Sequence, residues 1–377
     1  MISARVMEYQ KPLNIENVDK PQVQHGHQVL LRVGSTGLCH SDLHLINGDW
    51  KNTIPLQLPI IPGHEIAGWV EEIGDLVPKE FLQKGDLVAV FGGWGCGICI
   101  YCKDGNEQLC PYPQWPGIMR NGGFAEYILI DSYRFLVKVE VEEEEEIRQK
   151  KNDRSKGELQ NKEEVERRET LKIESIAPLT DAGLTPYRAI KNIRNLLGPG
   201  KTIGIVGIGG LGYYGVQYAK ILGQSADVIA FDRKDEKIDL AKEIGADFTI
   251  NNSVDFSKLK DEVSAITKGK GIDVIIDCVG AENTVYNSIR LLNKGGTLVV
   301  VGLFGNQMTF PLVPSVINEY KIHGSLWGNY NELREVIKLA SKGKLKHKIN
   351  RFALRDINKS INKLQNGEIL GRAVIVP

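Results

Sequence analysis

Two different patterns of apolar and polar residues follow one another along the chain. In the first part, short stretches alternate between apolar and polar positions, as in residues 28–33, where Val29, Leu31 and Val33 share one face. A second short apolar stretch, residues 87–90, follows directly after a turn. Alternation with frequent turns predicts a mostly-β unit.

From about Pro199 onward, apolar strands alternate with stretches of helical length. This alternation predicts a parallel, doubly wound α/β sheet. The expected elements are strands at 202–207, 228–232, 248–250, 273–277 and 297–302, with helices at 211–222 and 235–244. After residue 322 the pattern is mixed again, with a helix near 332–342 and a closing strand at 373–376.

The order of these patterns predicts an inserted domain. With 377 residues, two domains are the natural expectation. We place the doubly wound domain at 187–322, between two parts of a catalytic domain at 1–186 and 323–377.

Composition and charge narrow the class of protein. The chain is 42% hydrophobic with a formal net charge of zero, so no global field favours nucleic acid or an anionic membrane. No apolar run reaches the roughly 18 residues of a membrane span, and the first residues lack the apolar stretch of a signal peptide. We expect a cytoplasmic protein that acts on a small molecule, without nucleic-acid or membrane partners.

A charged segment, residues 140–175, fits neither domain. It begins with five consecutive glutamates at 142–146 and continues with mixed Lys, Arg and Glu. Such a composition is typical of a solvated helix with ion pairs or of a disordered loop. A docking surface for a partner is the alternative.

A glycine-rich motif follows the first strand of the doubly wound domain. Gly207, Gly209 and Gly212, with Gly210 and Leu211 between them, match G-x-G-x-x-G after a predicted strand and before a predicted helix. The glycines permit a tight turn and a close approach of a pyrophosphate, and the helix N-terminus favours its negative charge. This context indicates a dinucleotide site, and a glycine-rich turn without a ligand is the alternative.

An acidic residue at the end of the next strand selects the dinucleotide. Asp232 stands twenty residues after Gly212, where a carboxylate accepts hydrogen bonds from the adenosine ribose and repels a 2′-phosphate. We therefore expect NAD rather than NADP, although the neighbouring Arg233 partly offsets that repulsion.

Four of the six cysteines fall within fifteen residues, on a glycine-bearing loop that we place at 93–112. They are Cys96, Cys99, Cys102 and Cys110. Four thiolates in a closed tetrahedral shell suit a structural zinc with no open position for chemistry. Disulfides or an iron–sulfur cluster are the alternatives.

A second set of metal-ligating residues lies outside this lobe. Cys39 stands in Gly-Leu-Cys-His-Ser-Asp and His64 in Gly-His-Glu. Together with the four-cysteine lobe and the later glycine motif, these segments resemble the zinc-containing alcohol dehydrogenases of the medium-chain dehydrogenase/reductase family. The resemblance runs from Val29 to the C-terminus and leaves out only the charged segment. It implies a GroES-like catalytic domain and a Rossmann cofactor domain.

The resemblance implies a catalytic zinc, so that each subunit would hold two zinc ions and NAD. By this resemblance Cys39 and His64 are two ligands, and Asp181 stands where much of the family has a cysteine ligand. A turn or N-cap role is the alternative for Asp181. A harder oxygen ligand would let another divalent metal compete. Glu65 resembles a glutamate that approaches the metal during ligand exchange, rather than a permanent ligand.

Further roles come from the same resemblance. Ser41 resembles the hydroxyl that contacts the substrate oxygen, and His44 the outer end of a proton relay. Asp42 resembles a carboxylate that orients His64. Thr185 resembles a neighbour of the nicotinamide, and Arg372 a residue that reaches the pyrophosphate and Glu65. His44 and Arg372 as plain surface residues are the alternatives.

Aromatic residues near these segments indicate the substrate class. Trp50, Trp94, Trp115 and Ile118 are candidates for an apolar pocket, which suits alcohols better than sugars. Each tryptophan fills the core in the alternative interpretation. We predict reversible oxidation of primary or secondary alcohols to aldehydes or ketones. A polyol or aldose dehydrogenase of the same family is the alternative, and a catalytically silent NAD- and zinc-binding interaction protein is a remote one.

The resemblance also implies a quaternary structure. The family's sheet edge, here around residues 297–302 and 307–312, often pairs between subunits. A homodimer or homotetramer is therefore expected.

Overall fold

The computed structural model describes residues 1–54, 56–140 and 171–377. Fifteen strands occur in this part of the chain. The sequence analysis expected eight of them, with boundaries that agree to within five residues. In chain order the strands are β1 (Ile2–Arg5), β2 (Asn14–Asn17), β3 (Val29–Leu38), β4 (Glu65–Ile73), β5 (Leu87–Val90), β6 (Tyr127–Ile130), β7 (Leu136–Lys138), β8 (Thr202–Val206), β9 (Asp227–Asp232), β10 (Phe248–Asn251), β11 (Ile272–Asp277), β12 (Leu292–Val300), β13 (Lys321–Gly324), β14 (Ile349–Ala353) and β15 (Arg372–Val376).

The α-helices of the same residues are mostly short. In chain order they are α1 (His40–Asn47), α2 (Ile100–Lys103), α3 (Ile173–Ile176), α4 (Leu184–Ile193), α5 (Gly210–Leu222), α6 (Asp235–Glu243), α7 (Phe256–Thr267), α8 (Glu282–Leu291), α9 (Leu312–Ile317), α10 (Tyr330–Ser341) and α11 (Ile357–Gln365). Among the described residues, no helix is both long and apolar enough to cross a membrane.

The second half of the chain forms a parallel sheet of six strands. Its order is β10-β9-β8-β11-β12-β13, and all neighbouring strands run parallel. All five residues of β8 are buried, because helices cover both faces of such a sheet. This strand order is that of a Rossmann fold, which confirms the predicted α/β class.

The rest of the chain builds a mostly antiparallel sheet. Its order is β14-β15-β3-β4-β5-β7, and β6 also pairs with β3. Strand β15, from the end of the chain, pairs antiparallel with β3 from its beginning. The two flanking parts of the chain therefore share one sheet, as expected for a domain that is interrupted by an insertion.

The structure corrects three boundaries. The charged segment was expected to extend to residue 175. Most of it, residues 141–170, lies outside the described part of the chain. Residues 173–175, however, belong to helix α3, where Ile173 O accepts a 2.7 Å hydrogen bond from Ser35. Residues 297–302 were expected at a sheet edge, but β13 lies outside β12. Because β13 ends at Gly324, the parallel sheet also passes the expected domain boundary at 322.

Candidate active site

Three predicted metal ligands come together from three segments. Cys39 follows β3 and is the N-cap residue of α1, whereas His64 directly precedes β4. These two are neighbours because β3 and β4 pair with Gly37 opposite Glu65. Asp181 follows a short 3₁₀ turn and precedes α4.

The distances between their ligand atoms fit a tetrahedral metal ion. His64 Nε2 lies 3.2 Å from Asp181 Oδ2, and Cys39 Sγ lies 3.8 Å from the same oxygen. Ligand atoms around zinc, at bond lengths of roughly 2.0–2.3 Å, are about 3.3–3.8 Å apart. His64 and Cys39 are buried and Asp181 is nearly so. This donor set, a thiolate, an imidazole and a carboxylate, suits zinc.

Asp42 contacts the residues that carry the ligand atoms, without being a ligand itself. Its carboxylate accepts hydrogen bonds from Cys39 N at 2.8 Å and from Gly63 N at 3.2 Å. Its Oδ1 also lies 3.4 Å from His64 Nδ1, without a well-aligned hydrogen bond. A carboxylate in this position fixes the ring orientation of a metal-binding histidine.

Glu65 is held by other partners although it lies beside the metal ligands. Arg372 Nε donates to Glu65 Oε2 at 2.9 Å, and Arg372 Nη2 donates to Glu65 Oε1. The latter oxygen also accepts Ala182 N at 3.0 Å. Both carboxylate oxygens therefore accept hydrogen bonds, and one of them also lies within 4.8 Å of the ligand atoms of the other three residues. A role only during ligand exchange stays a prediction.

Thr185 contacts the metal-ligand set directly. Its hydroxyl donates to Asp181 Oδ1 at 2.7 Å, which leaves Oδ2 toward His64 and Cys39. Burial alone would raise the pKa of Asp181, but the hydrogen bond from His64, the charges of His64 and Arg372 and the Thr185 bond hold it below its ordinary value. The lowered pKa favours the carboxylate, which is the form that binds metal. The contact of Thr185 with the nicotinamide stays a prediction.

The residues of the predicted proton relay share helix α1. Ser41 Oγ lies 3.6 Å from Cys39 Sγ. His44, one helical turn further on, donates from Nδ1 to Asp49 Oδ2 at 2.7 Å and stacks on Trp50 with ring centroids 5.4 Å apart. Residues three apart lie on the same face of a helix, so Ser41 and His44 face one side.

Three of the four predicted pocket residues share one hydrophobic cluster, and Trp94 belongs to another, against which Trp115 also packs. Trp94 is 2% exposed and stacks on Phe135 at 5.2 Å, so it is a core residue. Ile118 is buried in a different hydrophobic cluster of the catalytic domain, against which Trp50 and Trp115 pack.

Trp327 is a site residue that the sequence analysis missed. Its ring meets His64 edge-on at 5.8 Å and Trp115 at 6.0 Å. It lies in the loop between β13 and α10, in no motif. No signal in the sequence pointed to it, because the strand that it follows, β13, is mostly exposed and was not predicted.

The second metal site is a compact lobe. The sulfur atoms of Cys96, Cys99, Cys102 and Cys110 all lie within 4.8 Å of one another. Cys99 Sγ lies 3.5 Å from Cys102 Sγ and 3.8 Å from Cys110 Sγ, which matches zinc geometry.

Backbone N–H groups prepare the lobe for a cation. Cys110 Sγ accepts bonds from Cys96 N and Tyr112 N, both at 3.3 Å. Bonds from the backbone of Ile98 and Cys99 lower the pKa of Cys96 to about 6. Donors aimed at sulfur favour the thiolate, which is the form that binds metal.

The glycine motif forms a loop at the start of α5, at the carboxyl end of β8. Gly207 has a φ of +85°, a left-handed conformation that a side chain would strain. A Cβ at Gly212 would lie 2.0 Å from Gly207 O, so only glycine fits there. A Cβ at Gly209 would meet nothing within 4 Å, which leaves open space for a ligand. Leu211 lies in the first turn of the helix, where backbone N–H groups are free for phosphate.

Asp232 is the last residue of β9, beside this loop. It accepts Ile208 N at 2.8 Å and Lys234 N at 3.1 Å. Arg233 is exposed. The carboxylate is therefore fixed next to the dinucleotide loop, where a ribose would meet it.

Arg372 connects the two sites. A Cβ at Gly210 would lie 2.5 Å from Arg372 Nη1, while the same guanidinium pairs with Glu65. The dinucleotide loop and the metal-ligand set therefore adjoin. A Rossmann domain whose nucleotide loop adjoins a zinc site defines a nucleotide-dependent, metal-containing dehydrogenase.

Comparison with known proteins agrees with this class. The family model "Alcohol dehydrogenase GroES-like domain" matches residues 25–141, and "Zinc-binding dehydrogenase" matches residues 210–342. An NAD-dependent alcohol dehydrogenase of Sulfurisphaera tokodaii is 36% identical over the whole of both chains. A D-arabinose 1-dehydrogenase (NADP(+)) of Saccharolobus solfataricus is 34% identical, covering 100% of this chain and 97% of the relative.

A solved structure shows the same fold. The crystal structure of the alcohol dehydrogenase from Aeropyrum pernix matches with a TM-score of 0.86 and 37% identity, over 100% of both chains. The chain belongs to the zinc-containing alcohol dehydrogenases of the medium-chain dehydrogenase/reductase family. It is an oxidoreductase with NAD and zinc as cofactors, and its substrates are small molecules.

Proposed function

We propose that the protein oxidises primary or secondary alcohols to aldehydes or ketones, reversibly, with NAD and a zinc ion held by Cys39, His64 and Asp181. The observation that carries this proposal is Arg372, which touches both Glu65 beside the metal ligands and Gly210 of the dinucleotide loop. A substrate at the metal and a dinucleotide whose pyrophosphate lies at the loop would thereby be neighbours.

When bound, zinc supplies Lewis-acid activation of the hydroxyl and NAD accepts hydride. The thiolate of Cys39 and the carboxylate of Asp181 offset the two positive charges, and His64 binds as neutral imidazole. Ser41 would take the proton of the alcohol as it gives up its own hydroxyl proton, which the nicotinamide ribose would relay to His44 at the outer end. Asp49 holds Nδ1 of His44, so that Nε2 exchanges the proton.

The environment favours alcohols over polyols. Trp327 places an apolar ring edge against His64, and Trp115 packs on Trp327, whereas a sugar needs several polar partners. The D-arabinose 1-dehydrogenase among the relatives keeps a polyol or aldose dehydrogenase as the second candidate. Asp232, fixed beside the loop by Ile208, supports NAD over NADP.

Initial rates of NADH or NADPH formation with butanol, cyclohexanol, sorbitol and D-arabinose test this proposal. We expect kcat/KM to be at least tenfold higher for the two alcohols than for the polyol and the aldose, and tenfold higher with NAD. Ser41→Ala should lower the rate by about 100-fold or more, and Ser41→Thr, which keeps the hydroxyl, should remain within tenfold. Preference for the sugar substrates would establish the second candidate, and no turnover would leave the silent binding protein.

We also propose a cytoplasmic homodimer or homotetramer. Strand β13 is the outer strand of the parallel sheet, and the segment before it exposes apolar side chains. Those of Phe304, Val316 and Ile317 are 67%, 69% and 72% exposed. A free strand edge beside an apolar surface supports pairing between subunits. Sedimentation that shows only monomer would contradict this assembly.

A further inference from the structure

Trp327 has a backbone conformation that tryptophan rarely adopts. Its φ is +48°, in the left-handed region where a bulky side chain is unfavourable. Its side chain is nevertheless 5% exposed, so the fold holds it in one place. Left-handed bulky residues persist where the surrounding structure determines them, and they are concentrated at functional sites.

Three segments of the active site hold this ring. Trp327 Nε1 donates to Thr180 O at 2.8 Å, one residue before the ligand Asp181. Its ring meets His64 edge-on, with an angle of 86° between the ring planes. The third segment is Gly92, where a Cβ would lie 1.9 Å from Trp327 Cζ2.

Gly92 and Trp327 therefore form a complementary pair. Gly92 lies two residues after β5, on the segment that leads to the four-cysteine lobe. Any side chain at position 92 would collide with the indole. The indole of Trp327, from a distant part of the chain, therefore fills the space beside Gly92. A large side chain at either of the two positions could fill this space, as volume-conserving substitutions do in protein cores.

We propose that Trp327 is the specificity-determining wall of the alcohol site, and that its seating on Gly92 sets the size of substrate that fits beside the metal. The indole contacts both the ligand His64 and Trp115. In this proposal a substituent on the reacting carbon would meet the indole first. This inference rests on the proposed function and names a size limit within it. A wall of this kind discriminates by roughly 10- to 200-fold for each methylene group that it excludes.

The test compares one small and one bulky ligand in two independent readouts. The first is kcat/KM with NAD for ethanol and for cyclohexylmethanol. The second is the dissociation constant, measured by NADH fluorescence, of acetamide and of cyclohexanecarboxamide, which are unreactive carbonyl analogues. The variants are Trp327→Ala, the double variant Trp327→Ala/Gly92→Phe, and Trp94→Phe as a control in a buried tryptophan that stacks on Phe135.

Trp327→Ala is expected to raise the preference for the bulky ligand at least tenfold in both readouts. The double variant refills the space from the other side and should return the preference to within threefold of wild type, and Trp94→Phe should not move it. If Trp327→Ala does not fold, Trp327→Leu carries the same test, with an expected rise of threefold or more.

A preference within threefold of wild type, in a variant that keeps two zinc ions and binds NADH, would overturn the proposal. An equal loss of kcat/KM and of amide affinity for the small and the bulky ligand would also overturn the proposal, because it would show a merely structural role. If wild type oxidises neither alcohol, the proposed function fails, yet the amide dissociation constants still decide the role of Trp327.

Discussion

At the scale of single residues, the site depends on contacts between positions far apart in sequence. Cys39 and Asp181 are 142 residues apart, and Glu65 and Arg372 are 307 apart. No periodicity or spacing reveals such pairs, so the sequence could assign them only by family resemblance. Trp327, which no motif includes, was missed for the same reason. Its neighbours are known only once the chain has folded.

Thr185 provides a prediction at this scale. Its hydroxyl fixes Asp181, and the loss of a residue that orients a ligand typically weakens metal binding by about 10–100-fold. Thr185→Val should weaken zinc at the catalytic site to that extent, measured by competition with a chromogenic chelator. Thr185→Ser keeps the hydroxyl and should remain within threefold of wild type. If the valine variant binds zinc as tightly as wild type but binds NADH more weakly, the prediction is wrong. Thr185 would then contact the nicotinamide without orienting Asp181.

At the scale of elements, the apolar pattern predicted well the strands that are buried on both faces. Strand β11, whose last four residues are buried, carries the apolar run 274–276 between Asp273 and Asp277. Strand β13 is mostly exposed, and its four residues include Lys321 and His323, so nothing in its pattern distinguishes it from a loop. The sequence analysis therefore took β12 for the outer edge of the sheet, whereas β13 forms that edge.

The four-cysteine lobe is an element whose stability depends on metal. Helix α2 has four residues and none of them is buried, so little apolar packing holds the lobe. Cys110→Ser should therefore lower the zinc content from two ions per chain to one and the Tm by about 5 °C or more. Metal analysis and calorimetry would measure both. Cys278→Ala removes a thiol outside both clusters and should keep two zinc ions. Two ions in the Cys110 variant would refute the assignment.

At the scale of the molecule, the sequence predicted the interrupted catalytic domain because the two parts differ in pattern from the insertion. The antiparallel pairing of β15 with β3 joins the two parts of the catalytic domain. This pairing depends on residues more than 300 positions apart, so no local signal in the sequence predicts it. This closure also brings Arg372, the first residue of β15, against Glu65. The architecture and the active site are therefore completed by the same contact.

The central claim is that Asp181 completes the zinc site that oxidises the alcohol. NADH formation from butanol by Asp181→Asn, with the zinc content of the same sample, tests it most directly, because asparagine keeps the shape and removes the charge. We expect one zinc ion per chain and a rate lower by about a thousandfold or more, since zinc contributes several kcal/mol of transition-state stabilisation. Asp181→Cys, which restores an anionic ligand, should keep two ions. Two zinc ions and a rate near wild type in the asparagine variant would contradict the account.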